Sequence, residues 1–157
     1  MLRAPLRELG VVFVGDQRMK ALHRQFMGLG TTTDVLTFAI DEDDKGRAIS
    51  GEVYVCIAEA RRQAKLRGVP VEHEVLLYAL HGLLHLCGLD DRTAPEHRKM
   101  HHTEDKILTR LGIGKVFAKP IKAEPPHRRG LRYNPGRNHR SKSRARRPRR
   151  VGGENAE

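Results

Sequence analysis

Compact apolar runs separated by glycines and polar residues predict three strands in the first 60 residues. The runs cover residues 10–15, 35–40 and 51–57 and are rich in β-branched side chains. In the third run a valine or isoleucine recurs at every second position from Val53, which places these side chains on one face of a strand. The pattern therefore predicts a small sheet with a buried face.

Four other segments repeat their apolar residues at helical spacing, and a glycine follows each of them. They cover residues 17–27, 58–67, 71–87 and about 95–111. Asp16 is a suitable N-cap for the first helix, and Pro95 suits the first turn of the last. The third is apolar nearly all round, so it must be covered on most sides. Together these elements predict an α+β fold, a small mixed sheet around a central helix.

The positive charge of the chain is concentrated at its C-terminal end. Residues 119–157 hold 13 of the 30 Lys and Arg residues and 3 of the 19 Asp and Glu residues, a net charge of +10 out of +11. This segment is rich in Arg, Pro and Ser and has few apolar residues, which predicts a disordered basic tail after a folded domain at 1–118. Such a tail attracts polyanions, of which nucleic acid is the commonest, or it only aids solubility.

Cysteine usage and hydropathy indicate a soluble cytoplasmic protein. Cys56 and Cys87 both lie in apolar runs and do not form a Cys-x-x-Cys pair, so both are expected to be small buried hydrophobic residues in a reducing compartment. No apolar run approaches the length of a membrane span, and no signal peptide is evident.

Two histidines on the most apolar helix form the strongest candidate site. His81 and His85 stand four residues apart, which places both rings on one helical face where they can bind a single metal ion. Gly88 can end the helix in a left-handed conformation, and the carboxylates of Asp90 and Asp91 come immediately after it. The alternative is a pair of inert, hydrogen-bonded histidines, but polar rings on so apolar a helix need partners.

Three sequence blocks resemble the family of YbeY-type endoribonucleases, the bacterial rRNA maturation factors. The run from His81 to Asp90 resembles the family signature, residues 33–38 resemble its Thr-Asp-Val-Leu-Ser-Phe block, and residues 51–57 resemble its Gly-Asp-Ile-x-Ile strand. The order and spacing of the blocks agree across roughly residues 10–112.

The resemblance implies a fold related to the catalytic half of zinc metalloproteases. It also implies one Zn²⁺ ion and a single-strand-specific endoribonuclease. The implied role is 16S rRNA 3′-end maturation and ribosome quality control, with single-stranded RNA, rRNA and the small ribosomal subunit as partners and no membrane.

The sequence departs from the family pattern in three places. The third zinc ligand of the family is a histidine where this chain has Asp91, so His81, His85 and Asp91 are the predicted metal ligands and catalytic residues. Met27 replaces a family arginine, for which Arg24 one turn earlier is a possible substitute. Family members also carry a strand and a helix before the first strand seen here, so an open sheet edge is expected.

Other residues remain as alternatives for the site and its chemistry. Asp90, His97, His101 and His102 are reserve candidates for the third ligand, although the last three are expected on a solvated helix face.

Gly82 stands where a His-Glu-x-x-His protease has its general base, which argues against peptide hydrolysis. Asp34 and Glu52 are candidate bases or groups that orient the ligands, or they only cap a turn and begin a strand. A non-catalytic ribosome-assembly protein with the same fold is the second hypothesis, and a zinc hydrolase with another substrate is the third.

Overall fold

The computed structural model describes residues 4–116 and 132–133 of the chain, and these residues form one mixed sheet with helices on both faces. The elements in chain order are β1 (Glu8–Val14), α1 (Asp16–Met27), β2 (Val35–Glu42), β3 (Ala48–Cys56), α2 (Ile57–Arg67), α3 (Val71–Leu86), α4 (Ala94–Arg110) and β4 (Arg132–Tyr133). The predicted α+β fold with a small mixed sheet around the histidine-bearing helix is confirmed.

The sheet has the strand order β1-β3-β2-β4, with β3 parallel to β1 and antiparallel to β2. The two-residue β4 is parallel to β2, opposite Thr37 and Phe38. Among the described residues β1 pairs only with β3, which agrees with the expected open edge. The rest of the predicted tail, and with it the predicted disorder, lies outside the described residues.

One face of the sheet packs against α3, which carries the two candidate histidines. Val53, Val55 and Val35 from the strands share a buried cluster with Leu77 and Leu84 of α3. These valines alternate with residues on the opposite face, as the two-residue period of a strand requires. The helix is therefore held between the sheet and α4, and burial of its apolar surface fixes its position.

The opposite face of the sheet packs against α1. Met19 and Leu22 of the helix contact a cluster that includes Leu36 and Phe38, and the Phe38 ring lies edge-on to Tyr54 with the centroids 5.4 Å apart. Met27, at the position of the family arginine, also packs against this apolar cluster. The side chain at this position therefore contributes to packing on the sheet face away from α3.

The prediction that Asp16 caps α1 was wrong. Gly15, in an extended conformation, is the N-cap residue, and Asp16 is the first residue of the helix. Its carboxylate accepts two hydrogen bonds from the Arg62 guanidinium, both at 2.7 Å, and this pairing lowers the pKa of Asp16 to about 2. A partner 46 residues away along the chain therefore uses the carboxylate that the sequence assigned to a local cap.

Strand and loop bounds differ from the prediction around the β2–β3 hairpin. The strands extend to Glu42 and back to Ala48, which pair with each other, so the predicted loop at 41–47 is reduced to a short turn. Gly46 takes φ +69° in this turn, a conformation that glycine adopts without strain. Cys56 is buried as expected, but Cys87 at the end of α3 is partly exposed.

A buried ion pair joins the end of α2 to the start of α3. Arg67 Nη1 lies 3.1 Å from Glu74 Oε1, and the two side chains are 3% and 0% exposed. Each of these buried charges is compensated by the other, because an unpaired charge removed from water has a high free energy. The pair therefore fixes how α2 meets the first turn of α3.

Candidate metal centre

The two histidines of α3 point their Nε2 atoms at each other. His81 Nε2 and His85 Nε2 lie 3.0 Å apart, and the rings are nearly perpendicular, with centroids 4.6 Å apart. Both side chains are almost fully buried, at 3% and 2% exposure. The four-residue spacing therefore produces the convergence that the sequence predicted.

The other nitrogen of each ring is held by an acceptor. His81 Nδ1 donates to Glu104 Oε1 at 2.6 Å, and His85 Nδ1 donates to the Leu89 carbonyl oxygen at 3.0 Å. A carbonyl and a carboxylate can only accept, so both Nδ1 atoms carry protons, and when the rings are neutral both Nε2 atoms present lone pairs to the same space. A cation between the two Nε2 atoms would offset the repulsion of these lone pairs. Metal-binding histidines are held by their second nitrogen in this way.

A left-handed turn at Gly88 brings Asp91 back to the histidine pair. Gly88 has φ +93°, and the chain reverses just after α3 ends. Asp91 Oδ2 lies 3.6 Å from His81 Nε2, and Oδ1 lies 3.8 Å from His85 Nε2. Zinc bonds of 2.0–2.2 Å in tetrahedral geometry place neighbouring ligand atoms about 3.3–3.6 Å apart. The three residues therefore fit a zinc ion, and one ligand atom from each lies within 4.8 Å of the others.

The electrostatics of the site favour one positive charge between the rings. Burial lowers the pKa of His81, but the hydrogen bond and charge of Glu104, with the charges of Asp34 and Asp91, outweigh burial, and the net pKa is raised. For His85, burial and the neighbouring His81 lower the pKa. The two pKa values shift in opposite directions because the rings are close enough to interact. Once His81 carries a positive charge, a second positive charge on His85 is repelled by it.

Glu104 is the residue of this site that the sequence analysis missed. Burial raises its pKa, but hydrogen bonds from His101 and His81 outweigh that effect and lower it to about 2, so the group is a carboxylate at neutral pH. The available signal was helical periodicity. Met100, Glu104 and Leu108 are spaced by four and are all buried, so an acidic residue occupies the apolar stripe of α4 and needs a buried partner.

We expect Glu104→Gln to weaken zinc binding by about 10–100-fold, the range typical of partners that orient metal-binding histidines. The amide keeps the shape but loses the charge that holds the His81 Nδ1 proton. Zinc affinity measured by competition with a chromophoric chelator checks this. Glu72→Gln, an exposed carboxylate on α3, is the matched control and should leave the affinity unchanged. Equal affinity in the Glu104 variant would contradict the orienting role.

Gly82 is required for the close approach of α3 to the sheet. A Cβ atom added there would lie 2.5 Å from Val53 Cγ1 and 3.1 Å from Thr37 Oγ1, both on buried strands. The glutamate of a His-Glu-x-x-His protease cannot occupy this position unless the Val53 side chain moves. The close packing of α3 on the sheet thus disfavours a larger side chain at this position.

Gly82→Ala is expected to destabilise the fold by about 1–3 kcal/mol, the typical cost of inserting a carbon atom into a packed core. Urea unfolding followed by circular dichroism measures the change. Combining it with Val53→Ala, which removes the two clashing methyl groups, should give a loss smaller than the sum of the single variants. Strict additivity would show that the two side chains do not collide.

The two acidic candidates for a base lie in different surroundings. Asp34 accepts from the Val35 backbone at 3.0 Å and from the Thr33 hydroxyl at 3.1 Å, so it caps the start of β2, while its charge acts on His81. Glu52 alternates with Val53 and so faces away from α3, where it accepts from the Tyr54 hydroxyl at 2.9 Å. Asp34, and not Glu52, thus belongs to the electrostatic surroundings of the histidine pair.

The reserve ligands lie elsewhere. Asp90 accepts from the Asp91 backbone at 2.9 Å and pairs with Arg92 at 3.2 Å. His97 and His101 contact each other on α4, with their Nε2 atoms 2.9 Å apart. His102 lines a different surface pocket beside Lys106. Within the part of the chain that the structure describes, the predicted triad is the only group of three or more side chains placed to share a metal ion.

An α+β domain with a His-x-x-x-His pair on a central helix and a carboxylate on the following bend has the donor set of a metal-dependent hydrolase. The family model described as endoribonuclease YbeY matches residues 2–112, and the chain belongs to this family of RNA-cleaving hydrolases. The resemblance seen in the three sequence blocks is confirmed.

Two curated relatives support the family assignment. The endoribonuclease YbeY of Desulforamulus reducens is 33% identical over 118 residues, covering 71% of this chain and 77% of the relative. That of Geobacillus thermodenitrificans is 34% identical over 115 residues, 68% of this chain and 74% of the relative. The solution structure of TM1509 from Thermotoga maritima is similar at 27% identity and a TM-score of 0.47, over 77% of this chain and 78% of that one.

Proposed function

We propose that this protein is a zinc-dependent, single-strand-specific endoribonuclease that matures the 3′ end of 16S rRNA and takes part in ribosome quality control in the cytoplasm. The observation that carries the proposal is the convergence of His81 Nε2, His85 Nε2 and the Asp91 carboxylate, with both Nδ1 protons held by acceptors. One Zn²⁺ ion is the proposed cofactor, and these three residues are its proposed ligands and the catalytic residues.

The residues of the site have separate roles in binding the metal, orienting the rings and setting the charge of the centre. A zinc ion bound there would polarise a phosphoryl oxygen or lower the pKa of its water towards about 7. Glu104 and the Leu89 carbonyl oxygen fix the ring orientations and hold the Nδ1 protons, so the Nε2 atoms of the neutral rings are the ones that would bind the metal. Asp91 contributes a negative charge in place of a neutral histidine, which makes a bound water less acidic than at an all-histidine site.

The proposed substrate rests on the family and on the distribution of charge. The names of the relatives specify endoribonuclease activity, and the basic segment at 119–157 would hold RNA through its phosphates without reading sequence. No helix in the described parts of the chain has the length and hydrophobicity needed to cross a membrane. On the grounds of the family and the basic segment, we propose rRNA and the small ribosomal subunit as partners.

The decisive experiment combines metal analysis with RNA cleavage on the full chain. The purified protein should contain zinc, lose cleavage of single-stranded RNA after chelation and regain it when zinc is restored, while a duplex of the same sequence stays intact. Asp91→Ala should release the zinc, whereas Asp90→Ala, which changes the neighbouring carboxylate, should retain it. Cleavage that survives complete removal of metal would overturn the proposal.

A catalytically weak ribosome-assembly protein with the same fold is the second candidate. Its supporting observation is Met27, which packs into an apolar cluster at the position where the family has an arginine suited to phosphate binding. This alternative expects RNA binding that persists with and without zinc and no cleavage under either condition. The experiment above therefore separates the two functions.

A further inference from the structure

A second pair of histidines with the geometry of the first lies on α4. His97 and His101 are four residues apart, their Nε2 atoms lie 2.9 Å apart, and their ring centroids are 4.1 Å apart with the planes at 80°. The corresponding Nε2 distance in the buried pair is 3.0 Å. The His97 side chain is exposed and the His101 side chain is half-buried, so this pair can be reached from solvent.

The carboxylate that orients His81 also orients His101. Glu104 Oε2 accepts from His101 Nδ1 at 2.7 Å, and the other oxygen, Oε1, accepts from His81 Nδ1 at 2.6 Å. Since the carboxylate can only accept, His101 carries its proton on Nδ1 and presents the lone pair of Nε2 to His97. One buried glutamate thus prepares an imidazole for metal binding in each pair.

We propose that His97 and His101 form a second, solvent-exposed binding site for a transition-metal ion such as Zn²⁺, Ni²⁺ or Cu²⁺. Imidazole pairs at this spacing select these ions over Mg²⁺ and Ca²⁺, which prefer oxygen donors. Two protein donors, with water completing the coordination, bind more weakly than the three donors of the buried site. The site does not depend on the proposed nuclease activity, because it uses different ligands.

The test is Ni²⁺ titration of the full chain by isothermal calorimetry in a background that removes the buried site. His81→Ala/His85→Ala protein should bind one equivalent of Ni²⁺, and adding His97→Ala should abolish this binding. His102→Ala, which changes the residue next to His101 but lines another pocket, is the matched control and should keep the equivalent. Loss with His102→Ala, or no loss with His97→Ala, would overturn the proposal.

A second measurement covers the case in which the background variant does not fold. In otherwise unchanged protein, the number of Ni²⁺ equivalents should fall by one on His97→Ala and should not change on His102→Ala. The buried site is intact in both variants, so an equal number of Ni²⁺ equivalents in the two would contradict the proposed pair. Because the count is made without RNA, it is independent of whether the protein cleaves RNA.

Discussion

Replacing both His81 and His85 with alanine is expected to abolish binding of the proposed zinc ion and to lower the rate of single-stranded RNA cleavage by about a thousandfold. The buried rings supply two of the three convergent donors, and Asp91 alone, partly exposed, cannot hold the ion. A metal ion contributes several kcal/mol of charge stabilisation, and each 1.36 kcal/mol is worth tenfold in rate, which gives about a thousandfold. Single-turnover cleavage of a labelled oligonucleotide, beside zinc analysis of the same sample, checks both expectations.

His73→Ala is the matched control for this double variant, since His73 lies on the same helix two turns earlier. It should retain both zinc and cleavage. Removing the rings also removes the hydrogen bond from His81 to Glu104, so the fold of each variant is verified by circular dichroism before activity is compared. If the double variant and the wild type cleave at equal rates, the activity belongs to a contaminating nuclease.

Glu74→Ala is expected to give the largest loss of stability, about 3–5 kcal/mol, the range typical of breaking a buried ion pair on one side. Glu74 is fully buried and lies 3.1 Å from the Arg67 guanidinium, whose side chain is 3% exposed and would lose its opposite charge. The free energy of unfolding from urea titration measures the change. A domain with a stability of about 5–15 kcal/mol would lose a large part of it.

Two further variants test the cause of that loss. Glu72→Ala, an exposed carboxylate in the same helical turn, should change the free energy of unfolding by less than about 0.5 kcal/mol. Arg67→Met/Glu74→Leu, which replaces both charges by apolar side chains of similar size, should recover most of the stability. If the double substitution were as unstable as Glu74→Ala, lost packing and not an unpaired charge would be the cause.

Local spacing made the core of the candidate site predictable. His81, His85 and Asp91 lie within eleven residues, so helical periodicity and one glycine bend were enough to place their donors together. The same reasoning located the helix ends, because Gly28, Gly68 and Gly88 all take positive φ, where glycine is favoured.

Contacts between distant segments were not predictable in this way. Glu104 meets His81 across 23 residues, and Asp16 meets Arg62 across 46, so no local pattern pairs them. Asp16 was assigned to a cap because capping is the local role of an aspartate before a helix. In the folded chain its carboxylate instead accepts hydrogen bonds from Arg62. Periodicity still carried partial information, since a glutamate in the buried stripe of α4 had to find a partner.

The centre spans two helices joined by a short connection, and this has a consequence for sequence change. Thr93 caps α4, and Glu96 accepts a hydrogen bond from the Thr93 backbone at 3.0 Å, so the start of this helix is fixed. Asp91 lies within this connection, so gain or loss of one residue between Gly88 and Thr93 would move its carboxylate away from the histidine pair. We therefore expect lineages to keep Asp91 and the length of the connection, while an exposed position such as Arg92 varies.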